Sequence, residues 1–158
     1  MSSGNIINIT SIYLDKSIYE QVLELYSAFG IIDKNSLTFE RFCEIIGSYP
    51  ANHNVFVYMY NDKIVGVITL LIEQKFIHNA KCVGHIEDFV VKKEYRSSNV
   101  GKELIDYVIN YSKNNNCYKI ILDCNTGLER YYKRYGFENK GLYMGYYCLL
   151  YTSPSPRD

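Results

Sequence analysis

The 158-residue chain has no tryptophan, three prolines and three histidines, and its 17 basic residues are balanced by 17 acidic ones. A chain of zero formal net charge has no general pull on nucleic acid or an anionic membrane, so any phosphate it binds must be held locally. Its five cysteines, Cys43, Cys82, Cys117, Cys124 and Cys148, include no CxxC pair and no histidine at metal-ligand spacing. No metal site is expected, and reduced, mostly buried thiols are. Cys117 and Cys124 fall in one expected strand, facing opposite sides, and do not bridge.

Long apolar runs are also missing. Ile64 to Ile72 is interrupted by Gly66 and Thr69 and is far too short to span a bilayer. The first five residues, Met-Ser-Ser-Gly-Asn, lack the basic start of a secretory signal. A cytoplasmic protein without a membrane partner is the expectation. At 47% hydrophobic and 22% charged residues, the composition is that of one globular domain. The seventeen tyrosines get no mechanistic weight. The last residues, Cys148-Leu-Leu-Tyr-Thr-Ser-Pro-Ser-Pro-Arg-Asp158, read as an adapter-derived, non-native tail, so the domain is placed at residues 1–147 and the tail at 148–158.

Periodicity orders the rest. Ile6 to Leu14 predicts a strand. Asp15 to Ser17 supplies capping groups for a helix whose apolar positions are Ile18, Val22, Leu25 and Phe29, with Gly30 as its stop. Leu37, Phe39, Phe42, Ile45 and Ile46 predict a second helix after Asn35-Ser36. Val55–Tyr60 and Ile64–Ile72, joined through Asn61-Asp62-Lys63, predict a hairpin. Gly84–Val91 is the next strand, Val100 to Ile109 one face of a helix ending at Lys113-Asn-Asn-Asn116, and Tyr118–Leu122 a further strand. A short helix at Leu128–Tyr135 stops at Gly136, and Phe137–Tyr147 predicts a last strand or hairpin. The order is β-α-α-β-β-β-α-β-α-β, a mixed α/β sheet with helices over its central strands.

One stretch concentrates the chemistry. Gly84-His-Ile-Glu-Asp-Phe-Val-Val91 runs into Arg96-Ser-Ser-Asn-Val-Gly101-Lys102 at a helix start, where orphan N–H groups and the macrodipole favour phosphate. By alternation, Glu87 and Asp88 are expected on opposite faces of the strand. An ordinary helix start with a serine cap would look the same, and a buried central strand without a ligand would use the same apolar residues.

The strand, the Arg-x-x-Asn-x-Gly turn, the helix, the following strand and Tyr131-Tyr-Lys-Arg-Tyr-Gly-Phe137 resemble the GCN5-related N-acetyltransferase fold. Within it, Gly84-His-Ile-Glu-Asp88 and Asn116-Cys-Tyr-Lys-Ile-Ile-Leu-Asp-Cys124 closely resemble the glucosamine 6-phosphate N-acetyltransferases, over about Ile9 to Tyr147. The resemblance implies acetyl transfer from acetyl-CoA to the amine of glucosamine 6-phosphate, a step toward UDP-N-acetylglucosamine, in a homodimer that does not bind nucleic acid. It implies cofactor contacts at Phe89, Val90 and Val91, along which pantetheine lies as an added strand, and at Arg96, Ser97, Ser98, Asn99, Val100, Gly101 and Lys102, the pyrophosphate turn. Asn99 replaces a family glycine there and tolerates positive φ best among the alternatives.

The same resemblance puts Glu87 and Asp88 at the sugar and its departing proton, and Tyr132 at the departing sulfur. It further gives Ser27, Lys75, His78, Tyr118, Lys119 and Asp123 to the phosphosugar, part of the site coming from a second subunit. Two positions depart from the pattern: Leu128 stands for an asparagine that contacts the CoA arm, and Tyr147 for an arginine that reaches the phosphate. Competing readings are an acetyltransferase for another small amine or a peptide N-terminus, and a non-catalytic acetyl-CoA-binding module.

Overall fold

The computed structural model describes residues 4–148. Five strands form one sheet in sequence order: β1 (Asn5–Asn8), β2 (His53–Tyr60), β3 (Lys63–Gln74), β4 (Cys82–Val91) and β5 (Cys117–Ile121). The first three pairings are antiparallel, and β4 with β5 is parallel. α1 (Lys16–Tyr26) and α2 (Phe39–Gly47) cover one face, sealing Val55, Val57, Ile64 and Val67. α4 (Val100–Asn114) covers the other, packing Leu104, Ile105 and Val108 against Phe56, Ile68, Leu70 and Ile86. Two short pieces complete the set, α3 (Ile77–Ala80) at the β3–β4 turn and α5 (Glu129–Lys133) after β5.

Local chemistry accounts for the element ends. Asp15 caps α1, its Oδ1 accepting the Ile18 N–H at 2.8 Å. The helix stops at Tyr26, short of the expected Gly30. Thr38, and not Asn35-Ser36, caps α2 by accepting the Arg41 N–H at 3.2 Å. β1 is shorter than its apolar run because Asn8 turns the chain: its Oδ1 accepts from the N–H and the hydroxyl of Thr10, at 3.1 and 2.8 Å, and a 3₁₀ turn follows at Ile9–Ser11. The β2–β3 hairpin closes on two residues, Asn61 and Asp62, both at positive φ (48° and 61°), the signature of the primed turn that matches strand twist.

Further expectations fail. No strand forms at Phe137–Tyr147. β5 is only five residues long, and Gly141 and Gly145 break the would-be strand, leaving Leu142 and Met144 exposed. β5 also ends at Ile121, so Cys124 lies outside it, and of the five thiols only Cys82 is buried. Finally, Asn99 sits at φ −78°, ψ 1°, so the turn does not use the positive φ that asparagine tolerates.

Candidate active site

The site begins with a strand irregularity. Thr69 pairs with Glu87 and Val67 with Val90, so β4 has one residue more than β3 between these pairs. That residue is accommodated by Asp88, which adopts φ +46°. The bulge cancels the expected alternation: Ile86, Phe89 and Val91 all pack toward α4, although Ile86 and Phe89 are three apart. Glu87 and Val90 correspondingly turn toward α1. A left-handed aspartate costs free energy, and this one persists at the point where the sheet opens.

The opening is read from the parallel pairing. β4 and β5 are joined from Cys82/Cys117 through His85/Ile121 and part thereafter, leaving the β5-side edge of β4 without a strand neighbour from Ile86 onward. The Lys92 N–H donates to the Val65 carbonyl at 2.8 Å, which makes Gly66/Val91 a non-hydrogen-bonded pair. Alternation then directs the backbone groups of Val90 to β3, and those of Phe89 and Val91 into the opening. The Val91 carbonyl there accepts the Arg96 Nε–H at 3.0 Å. Of the three apolar residues expected to line the cofactor, Phe89 and Val91 present main-chain groups to the opening; Val90 presents its own to the neighbouring strand.

At the mouth of this opening α4 begins. Asn99 makes no side-chain cap, and the first bond of the helix runs from the Glu103 N–H to the Asn99 carbonyl at 2.9 Å, so helix geometry leaves the N–H groups of Gly101 and Lys102 facing out of its N-terminus. Ser98 reaches the Val100 N–H only at 3.5 Å and donates its hydroxyl to the Tyr95 carbonyl. The expected cations are engaged elsewhere: Arg96 on Val91, and Lys102 on Asp106 at 2.5 Å, which raises the lysine's pKa. The turn therefore offers main-chain N–H groups, with side-chain charge in second place. An extended thioester ending in phosphates fits this open edge and helix start.

On the opposite face three cross-strand rows run from under the end of α1 to the uncovered part of the sheet. Val55, Thr69 and Glu87 form the first; His53, Leu71, His85 and Ile121 the second; Glu73, Val83 and Lys119 the third. Neighbouring rows are about 6.6 Å apart at about 3.3 Å rise per residue. The strip they form from the bulge to the lysines, with Val55, Thr69 and Val83 buried in it, is the candidate acceptor groove. Lys75 pairs with Glu73, whose other carboxylate oxygen lies 2.8 Å from His85 Nε2. These two partners hold the Glu73 carboxyl below its usual range, Lys75 having the larger effect. Lys119 sits over the Tyr118 ring, 5.6 Å from its centroid, and His78 packs on the same ring at 4.2 Å. His78, Asn79 and Ala80 are three consecutive left-handed residues (φ 53° to 58°), tied down by Gln74 Nε2 donating to the Ala80 carbonyl at 2.6 Å.

Lys75, His78, Tyr118 and Lys119 are thus brought together at one end of the groove, with Glu87 and Asp88 at the other. Ser27 caps the C-terminus of α1 and donates its hydroxyl to the Glu24 carbonyl at 2.6 Å, and Asp123 is exposed past the end of β5. Tyr132 is buried, its ring edge-on to Tyr131 and to Phe137. Tyr131 lies nearer the start of α4, with its ring 6.4 Å from Phe89 and its hydroxyl against Gly101.

The sequence reading missed Tyr26, Tyr49, His53, Thr69, Glu73 and His85. Tyr26 hydrogen-bonds Thr69, and burial pushes its phenol far above the ordinary value. Tyr49 and His53 stack at 3.5 Å with planes 11° apart. The Asp88 carboxylate acts electrostatically on Tyr26, Tyr49 and His53, so the groove draws on α1, the segment after α2, and three strands. Only the alternate positions 69, 71, 73 and 83, 85, 87 carried a signal in sequence, and it becomes legible once the register of β3 on β4 is fixed.

Comparison with known proteins agrees with this geometry. The acetyltransferase (GNAT) family model matches residues 19–137. A glucosamine 6-phosphate N-acetyltransferase of Arabidopsis thaliana is 35% identical over 111 residues, 69% of this chain and 74% of that one. A crystal structure of glucosamine-6-phosphate N-acetyltransferase from Arabidopsis thaliana superposes with a TM-score of 0.79 at 29% identity, over 93% of this chain and 99% of that one. AAC(6')-Iy in complex with the bisubstrate analogue CoA-S-monomethyl-acetylneamine shares the fold, with a TM-score of 0.70 at 20% identity, over 94% and 100% of the two chains.

Proposed function

The chain belongs to the acetyltransferase (GNAT) family, and from that premise we propose that it moves the acetyl group of acetyl-CoA to the amine of glucosamine 6-phosphate. The observation that carries the proposal is the parting of β4 from β5 after His85/Ile121, with the Asp88 bulge just beyond the point of parting and a polar groove on the other face. One side receives an extended thioester and the other an amine with hydroxyls, and they meet at the bulge.

Each residue has a task in this scheme. The main-chain groups of Phe89 and Val91 hold pantetheine as an added strand, and the Phe89 N–H stabilises the oxyanion that develops on the thioester carbonyl. The N–H groups of Gly101 and Lys102 take the pyrophosphate. Glu87 and Asp88 bind the ammonium and sugar hydroxyls, bringing nitrogen and carbonyl carbon into attacking distance. Lys75 and Lys119 receive the phosphate, Lys75 through the ammonium N–H groups that its Glu73 contact leaves over. The Tyr132 hydroxyl protonates the departing thiolate. Leu128, half exposed, offers the CoA arm only apolar surface.

A second copy of the chain completes the assembly. Support comes from Phe76, wholly exposed, and Ile77, 60% exposed, at the β3–β4 turn beside the lysine end of the groove. Product formed in the cytoplasm would feed UDP-N-acetylglucosamine synthesis. The test is CoA-thiol release by the purified protein with glucosamine 6-phosphate, glucosamine and a peptide panel, paired with light scattering for mass. Activity confined to the phosphosugar supports the reading; activity on a peptide alone, with none on the phosphosugar, overturns it.

A further inference from the structure

Ionised carboxylates such as those of Glu87 and Asp88 bind the acceptor ammonium well but accept its proton poorly, and the proton needs another destination. A carboxylate ordinarily titrates near 4 and an imidazole near 6.5, and a proton acceptor works best when its pKa lies close to the working pH. The described residues place an imidazole at the required point. His85 belongs to the last pair that joins β4 to β5, so it stands at the apex of the opening, and its side chain projects on the groove face with Glu87 one alternation away, about 6.6 Å along the strand.

His85 is also oriented. Its Nε2 lies 2.8 Å from Glu73 Oε2, while the other oxygen of Glu73 is held by Lys75. A carboxylate fixed on one ring nitrogen sets the tautomer and turns the other nitrogen, Nδ1, toward the groove. His53, in the same row but across Leu71, makes its ring contact with Tyr49 and feels the Asp88 charge only electrostatically. The charged and titratable groups that face His85 are Glu73 from β3, Lys75 just past its end, Glu87 on its own strand, Lys119 from β5 and His53 from β2.

We infer that His85 is the catalytic base of this site and that Glu73 is its positioning residue. The inference rests on the acetyl-transfer reading. An N–H bond of the ammonium breaks, its electron pair stays on nitrogen, and the proton goes to Nδ1 of His85 while Nε2–H stays on Glu73. The amine then attacks the thioester carbonyl, the C–S bond breaks, and the thiolate takes the second proton of the nitrogen through Tyr132. The imidazolium returns its proton to water, so the amide, the free thiol and one proton leave for each ammonium consumed.

The experiment compares wild type, His85→Gln and His85→Ala, each checked for folding by circular dichroism, in the CoA-thiol assay. His85→Gln, which keeps polarity and approximate volume, is expected to lower kcat about 100-fold with the KM for acetyl-CoA unchanged. Added imidazole is expected to restore at least about tenfold to His85→Ala and nothing to His85→Gln. Glu73→Gln on the His85→Ala background is expected to cost little more in kcat, because Glu73 acts through His85. A His85→Gln kcat within about twofold of wild type overturns the inference, as does a folded His85→Ala indifferent to imidazole. If His85→Ala does not fold, the kcat of His85→Gln decides. A wild type that fails on glucosamine 6-phosphate refutes the reading beneath it, a result distinct from wild-type activity that survives loss of the imidazole.

Discussion

The hydroxyl of Tyr131 lies 2.5 Å from the point a Cβ on Gly101 would occupy. Gly101 is therefore required because a tyrosine closes over the first turn of α4. Tyr131 is itself confined, with Arg134 stacked on its ring at 4.9 Å and Tyr135 edge-on at 5.3 Å. Gly101→Ala must push this group away from the helix start. The expected outcome is a rise on the order of tenfold in the KM for acetyl-CoA, with about 1–3 kcal/mol lost in a denaturant melt from overpacking. Unchanged acetyl-CoA binding would separate the pyrophosphate turn from α4.

The bulge predicts a split between fold and function. Asn tolerates the left-handed region as Asp does, so Asp88→Asn keeps the backbone at φ +46° and removes only the charge. Its melting temperature is expected within a few degrees of wild type, and its kcat/KM for glucosamine 6-phosphate is expected to fall about 100-fold. A loss of stability without a loss of activity would assign Asp88 to structure.

Tyr132 is buried between Tyr131 and Phe137, so the change must spare the ring. Tyr132→Phe is expected to reduce kcat on the order of 10- to 100-fold while the KM for acetyl-CoA moves less than about threefold, as the proposed action of the hydroxyl on the departing thiolate requires. An unchanged turnover would remove it from the mechanism.

His53 gives a pH signature. Burial pulls its pKa below the ordinary imidazole value, with the Asp88 charge opposing. A folded pKa below the unfolded one means that the unfolded chain binds the proton first. Stability therefore rises with pH between the folded value and about 6.5, and is lost as pH falls through that window. His53→Gln is expected to flatten this part of the stability–pH curve in urea melts collected from pH 5 to 8. An identical slope in both proteins would refute it.

The lysines at the groove's end show how far sequence reasoning reached. Lys75 and Lys119 were identified by resemblance to a family, and the fold does bring them to one end of a groove through the β3–β4–β5 register. Glu73 and His85 were invisible in the same run of residues because an alternating strand assigns faces, but does not say which face is left uncovered. Ser27 and Asp123 illustrate the opposite case, since each is committed or exposed in a way that spacing does not reveal.

Sequence by itself determined the order of the long helices and the strands as far as α5, the apolar faces of α1, α2 and α4, and the small-residue turn at Arg96 to Lys102, because these depend on local periodicity and turn chemistry. It also determined the family, through segments matched in order and spacing. Only the tertiary structure decided that β4 bulges at Asp88, that β4 and β5 part after His85, and that Phe137 to Tyr147 forms no strand. Those outcomes depend on which backbone groups find partners across the sheet, and pairing between distant segments is not written in the residues of any one of them.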